Sequence, residues 1–133
     1  MKHLITTMLI IAAITGCKQS ETKPVIKISK DIYVLQPAAP AKKCVASWYG
    51  EKYRGRLTAN GETFSPDEYT AAHKTLPFGT RLLVKLGPNK VIVRVNDRGP
   101  FIEGRELDLS RAAFEELAEK EAGLINVSYS ILN

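Results

Sequence analysis

The segment Arg94-Val95-Asn96-Asp97-Arg98-Gly99-Pro100-Phe101 puts one carboxylate between two guanidiniums, just before a Gly-Pro turn signal. Val91, Val93 and Val95 alternate ahead of it and predict a strand with one apolar face. A carboxylate at a strand-to-loop junction is held by a rigid element and faces whatever docks at the end of the sheet. Flanking cations either hold it ionised or grip a substrate beside it. Taken alone, the same residues also read as a salt-bridged turn, because structural ion pairs outnumber catalytic ones.

The elements that must position Asp97 are short strands. Val45 to Tyr49, Tyr69 to His73, Thr80 to Leu86, Val91 to Asn96 and Glu106 to Leu109 carry strand patterns. Gly87-Pro88-Asn89-Lys90 is expected to close a hairpin, and Asn60-Gly61 a tight turn. Ser110 is a suitable N-cap for a helix over Arg111 to Lys120, with Ala113, Phe114, Leu117 and Ala118 on one face and Gly123 as C-terminal cap. The last segment alternates again, with Ile125, Val127, Tyr129 and Ile131 inward. About six strands and one short helix predict a mainly β fold, a small closed barrel that removes exposed sheet edges. An open α+β sheet is the alternative.

The N-terminus reads as a targeting segment over residues 1–16. Positive charge in Met1-Lys2-His3 precedes an apolar run from Leu4 to Ile14. That run is too short for a membrane span, which needs about 20 residues, and suits a signal-peptide core. Ile14-Thr15-Gly16-Cys17 resembles a bacterial lipobox, which implies lipidation of Cys17 and a membrane anchor that does not span the bilayer. Lys18 in place of an Asp points to the outer membrane, facing the periplasm, or to the cell membrane of a single-membrane cell. Residues 17–43 then form the lipidated tether and residues 44–133 the domain. Within the tether, the apolar stretch from Val25 to Leu35 is a candidate extra strand packed on the domain, or a docking strand for a protein partner.

Charge excludes one function class. Residues 18–43 hold six Lys against Glu21 and Asp31, net +4, and Lys2 adds one more. Residues 44–133 hold twelve basic and twelve acidic residues, net zero, so the formal +5 lies outside the domain. A nucleic-acid-binding fold carries its positive face on the domain, so no nucleic acid is expected. With Cys17 modified, Cys44 stands alone and is expected to be buried beneath its strand. One Cys and His73 do not make a ligand set, so neither a metal nor a cofactor is expected.

Five blocks, in order, resemble the rare lipoprotein A family. They are Ala46-Ser47-Trp48-Tyr49-Gly50; Thr58-Ala59-Asn60-Gly61-Glu62; Thr70 through Thr80; Val93 through Phe101; and Asp108 through Ala113. The resemblance implies a six-stranded double-psi β-barrel and a lytic transglycosylase. Such an enzyme cleaves the MurNAc–GlcNAc bond of peptidoglycan and closes a 1,6-anhydro ring on MurNAc, and the family is associated with strands stripped of their stem peptides. It also implies a short form, without the C-terminal glycan-binding domain into which many members continue.

Asp97 matches the family's principal catalytic acid, which protonates the leaving oxygen and then deprotonates the C6 hydroxyl. At least one of Arg94 and Arg98 must then point away from it, toward Asp108, Glu106 or the substrate. Glu62 matches a second acidic position and His73 a further catalytic one, where it would hydrogen-bond Asp97 or a sugar. Glu62, His73 and Asp97 are expected to converge in an open groove. The resemblance assigns substrate contacts to Trp48, Tyr49, Ser65, Lys74 and Arg98. Trp48 and Tyr49 adjoin in a strand and face opposite sides, so one lines the groove while the other packs the core, as Phe78 and Phe101 do. Ser65 departs from the family, whose enzymes often carry Asp there, and Asp67 is the candidate to compensate. The expected partner is the peptidoglycan glycan strand. A non-catalytic peptidoglycan-binding lipoprotein is the alternative.

Overall fold

The computed structural model describes residues 40–132 and the backbone of two further short strands. Those two, β1 (Ile26–Ile28) and β2 (Asp31–Tyr33), pair antiparallel with each other as a separate two-stranded sheet and do not join the barrel ladder. The targeting segment, Cys17 and the rest of the tether lie outside the described residues. No helix among the described residues is long and apolar enough to cross a membrane.

The barrel closes in the order β3 (Lys42–Trp48), β7 (Leu107–Leu109), β4 (Thr70–His73), β6 (Asn89–Asp97), β5 (Arg81–Leu86) and β8 (Ile125–Leu132), and β8 returns to β3. It is a closed sheet, not an open α+β one. The first barrel strand begins at Lys42, two residues before the expected boundary at 44. Strand β3 runs parallel to β7 and β4 parallel to β6, whereas β5 is antiparallel to both β6 and β8.

The period-two patterns decide what faces in. Ala46, Ala71, Val93, Val95, Leu107 and Leu109 are all at most 1% exposed and meet in one core. Helix α1 (Arg111–Glu115) covers that core with Phe114, the largest fully buried side chain. Its burial contributes about 1.5–3 kcal/mol. Ser110 caps the helix by accepting from the Ala113 amide at 3.3 Å.

Two expectations need correction. The α-helix stops at Glu115 rather than Lys120, and a 3₁₀ turn occupies Lys120–Ala122. Acidic residues at 115, 116 and 119 oppose the negative end of a longer helix dipole. Asn89 Nδ2 instead satisfies the Leu117 carbonyl at 2.9 Å. The hairpin turn is shorter than expected, because Leu86 pairs with Asn89 and only Gly87-Pro88 remain between the strands. Gly87 has φ +56, as the first central residue of such a turn requires.

Candidate active site

A β-bulge turns Asp97 to the outside of the barrel. Along the parallel β4–β6 pair, Thr70 faces Arg94 and Ala71 faces Val95, but Ala72 faces Asp97, so Asn96 is the extra residue. Strict alternation would have sent Asp97 inward with Val93 and Val95. The bulge re-aims it, as bulges beside functional sites do. Asp97 thus falls in a row on the outer face, because Ser47 pairs with Asp108, Asp108 with Ala72 and Ala72 with Asp97. Ala72, 3% exposed, stands between the two carboxylates in this row. Asp97 and Asp108 are two strands apart, roughly 10 Å between backbones.

Asp97 is half-buried, and its hydrogen bonds are both to backbone. Oδ1 accepts from the Ala59 and Arg98 amides, each at 2.9 Å. Among the described residues Oδ2 accepts none. Both neighbouring guanidiniums are occupied elsewhere. Arg94 makes a two-pronged contact with Glu62, at 2.6 Å to Oε1 and 2.9 Å to Oε2. Arg98 places its guanidinium carbon over the Phe78 ring, 3.9 Å from its centre, and donates to the His73 carbonyl at 3.2 Å. Both point away from the Asp97 carboxylate, though toward partners other than those the sequence suggested.

Glu62 has the opposite surroundings. Besides Arg94, it accepts from Asn96 Nδ2 at 3.1 Å and Asn60 Nδ2 at 2.8 Å. These donors, Arg94 first, hold its carboxyl at about 2, so it is a fixed anion at any working pH. The turn that carries it is built as Asn60-Gly61 foretold. Thr58 N donates to the Glu62 carbonyl at 2.8 Å, and Gly61 has φ +88. The same turn touches Asp97 through the Ala59 amide and Asn96 through a bond from Asn60 N, so the Glu62 turn is tied to the end of β6.

Tyr49 packs its ring on Phe64, with centroids 4.5 Å apart, and its buried hydroxyl lies toward that of Thr70. Burial raises the phenol's pKa, and the Asp97 charge, with a weaker share from Asp108, raises it further. Asn96 Oδ1, in the residue before Asp97, is buried without a hydrogen-bond partner. Asp108, which accepts a hydrogen bond from Ser47, was missed by sequence reasoning. Its outward position between Leu107 and Leu109 was readable, but its neighbours across the sheet were not.

Other expected site residues lie elsewhere. His73 is 5% exposed and does not hydrogen-bond Asp97. Its Nδ1 accepts from the Thr75 and Leu76 amides at 3.1 and 3.0 Å, and Nε2 lies 3.4 Å from both Glu106 Oε1 and Tyr129 Oη. Desolvation lowers its pKa, and the two amide bonds to Nδ1 require the neutral ring. His73 shapes the 73–76 turn, and only its carbonyl reaches toward Asp97, through Arg98. Trp48 is the inward member of its pair, tilted on Phe114 at 6.3 Å with Nε1 bonded to the Lys120 carbonyl. It packs the core and does not line the groove.

Ser65 Oγ accepts from the Asp67 amide at 3.3 Å within its own turn. Asp67 cannot substitute for a carboxylate at 65, because Arg54 and Arg111 take both of its oxygens. Lys74 is exposed and lines a separate cleft. Phe101 is 83% exposed and Phe78 41%, so neither is the core residue expected. Cys44 is only half-buried, and burial pushes its thiol up to about 12, which leaves it unreactive. No group of three or more His, Cys, Asp or Glu side chains among the described residues is arranged to hold a metal.

Residues 41–129 match the model of a double-psi β-barrel family described as lytic transglycolase. The chain is 50% identical over 90 residues to the probable endolytic peptidoglycan transglycosylase RlpA of Synechocystis sp., an alignment spanning 66% of this chain and 28% of that protein. It is 50% identical over 99 residues to the corresponding protein of Aquifex aeolicus, spanning 68% and 44%. To the endolytic peptidoglycan transglycosylase RlpA of Pseudomonas aeruginosa it is 44% identical over 110 residues, spanning 80% and 32%. The chain thus spans less than half the length of these relatives. Among solved structures, the Streptomyces papain inhibitor superimposes with a TM-score of 0.61 at 21% identity, over 73% of this chain and 98% of that one. An apo expansin of Clavibacter michiganensis does so with 0.59 at 24%, over 70% and 50%. These two likenesses concern the fold alone.

Proposed function

The chain belongs to the lytic transglycolase family, and on that premise we propose that it cleaves the MurNAc–GlcNAc bond of peptidoglycan with Asp97 as the acid and base. The observation that carries this reading is the unpartnered Oδ2 of Asp97, beside two arginines that are both engaged elsewhere. Protonated Oδ2 donates to the glycosidic oxygen as the C1–O bond breaks, and the leaving sugar departs with a hydroxyl. Positive charge develops at C1. The Asp97 carboxylate then takes the proton of the C6 hydroxyl as O6 bonds to C1, which closes the 1,6-anhydro ring and regenerates the acid. The substrate supplies its own nucleophile, so no second carboxylate has to attack.

Glu62 acts as the permanent anion that keeps Arg94 off Asp97 and fixes the turn whose Ala59 amide holds Oδ1. Asp108, in the same outer row as Asp97, is positioned to meet a sugar hydroxyl. His73 serves by shaping the turn that holds Arg98. The test is chemical. The full chain is incubated with purified peptidoglycan, intact and amidase-stripped, and products are identified by mass. Anhydro-muropeptides lost in Asp97→Asn are expected. Their absence from both substrates with the unaltered chain sinks the reading.

The second reading is a non-catalytic peptidoglycan binder. It is favoured by Ser65 and by an Asp67 carboxylate already committed to Arg54 and Arg111. It predicts retention on insoluble peptidoglycan with no anhydro product. In either case the lipobox supports an anchor at Cys17 and an outer-membrane, periplasm-facing location. Labelled palmitate incorporated by the full chain and not by Cys17→Ala is the expected result.

A further inference from the structure

A second concavity lies apart from the Asp97 groove. It has a volume of about 840 Å³, and its charged lining is Lys43, Lys74, Lys85, Arg105 and Glu106. It shares no lining residue with the cluster of Glu62, Arg94, Asn96, Asp97 and Asp108. The loop that leaves Asp97 through Gly99 and Pro100 returns to the sheet at Leu107, just after Arg105 and Glu106, so the two sites sit one loop apart.

The charge in this cleft is not balanced by the protein. Glu106 is the only acid lining it, and its Oε1 already receives Lys42 at 2.6 Å and Tyr129 at 2.6 Å, with His73 at 3.4 Å. Among the described residues, none of Lys43, Lys74, Lys85 and Arg105 is in an ion pair. Four cations against one acid, itself already engaged, are thus concentrated in one concavity. The barrel register orders them. Lys43 pairs with Ser128 and Ser128 with Lys85, which sets a hydroxyl between two ammonium groups on the outer face. Two strand spacings separate those lysines, roughly 10 Å. A row of cation, hydroxyl and cation fits a carboxylate as acceptor, and spaced cations fit a polymer that presents carboxylates at intervals.

We propose that this cleft is a carboxylate-binding subsite for the wall polymer cut at Asp97. The proposal rests on the peptidoglycan reading above and adds to it what part of the substrate is recognised. Peptidoglycan offers carboxylates from two sources. The lactyl group of MurNAc is amide-linked to the stem peptide and becomes a free carboxylate, once per disaccharide, when that peptide is removed. Intact stem peptides carry carboxylates of their own.

Retention of the full chain on insoluble peptidoglycan tests this, in an Asp97→Asn background so that strands stay uncut. Four walls are compared: intact and amidase-stripped, each as isolated and after its carboxylates are converted to neutral amides with carbodiimide and glycinamide. Lys43→Gln, Lys85→Gln and Arg105→Gln together are expected to weaken retention about tenfold at low salt on unmodified wall, from exposed ionic contacts. No further loss is expected on neutralised wall, and Lys120→Gln, outside the cleft, should match the parent. Stronger retention on stripped than on intact wall identifies the lactyl carboxylate, and weaker retention identifies the stem peptide.

Thermal melts check that the triple variant folds. If it does not, Lys85→Gln alone and the salt dependence of the parent chain carry the test. The proposal is overturned if neutralising the carboxylates leaves retention unchanged, or if the variants bind unmodified wall as the parent does. It is also overturned if they lose binding to vesicles of anionic phospholipid but not to wall, since the cleft would then serve a lipid surface. Absence of anhydro product from the unaltered chain would end the enzymatic reading and leave the retention result standing.

Discussion

Two carboxylates on segments tied together by backbone hydrogen bonding receive opposite treatment. Glu62 sits in a turn and is met by Arg94, Asn96 and Asn60, which hold it ionised at about 2. Asp97 sits at a strand end between two arginines and takes only two backbone amides, both on one oxygen. Sequence proximity suggested that the arginines belonged to Asp97. The fold gives Arg94 to Glu62 and lays Arg98 on Phe78. The carboxylate nearest to positive charge along the chain is thus not the one bound by it.

The largest effect expected from breaking this arrangement is Asp97→Asn. It keeps the shape and removes the exchangeable proton, so the rate of anhydro-muropeptide release should fall by about 10²–10⁴-fold, the usual contribution of a general acid or base. Melting should stay close to that of the parent. Next is Glu62→Gln, which unties Arg94. A freed guanidinium beside Asp97 favours the charged carboxylate, and the rate should fall about tenfold or more.

His73→Ala sharpens the contrast from the other side. It leaves the Thr75 and Leu76 amides without their acceptor, and chemical unfolding should report a loss of about 1–3 kcal/mol. Because burial lowers the His73 pKa, the unfolded chain binds more protons between the folded value and about 6.5. Stability should therefore drop as pH falls through that window, and the slope should flatten in His73→Ala. The smallest effect expected is that of Ser65→Asp. Ser65 bonds only within its own turn, so turnover should change by no more than about two- to threefold.

Several features of the fold were legible in the residues. The alternations in 91–95 and 125–129, the Asn60-Gly61 turn and the Ser110 cap are local and appeared where expected, whereas Ile131, expected inward, is 38% exposed near the end of its strand. What local pattern could not carry was partnership across the barrel. The bulge at Asn96 exists only relative to β4, and without it Asp97 reads as an inward residue. Asp108 gains meaning only beside Ser47 and Ala72. His73 lies 33 residues from Glu106 and 56 from Tyr129, and no spacing rule connects them. Trp48 was read correctly as opposite to Tyr49, but which of them faced in depended on helix α1 and Phe114.

The division of labour between Glu62 and Asp97 is tested most directly by one rate. Glu62→Gln/Arg94→Gln removes the anion together with the cation it restrains. If Glu62 acts by keeping Arg94 from Asp97, this double variant should release anhydro-muropeptides faster than Glu62→Gln alone, recovering much of the lost rate. If it is as slow as Glu62→Gln or slower, Glu62 contributes to the chemistry by itself, and the account of a single acid freed by its neighbours' engagement is contradicted.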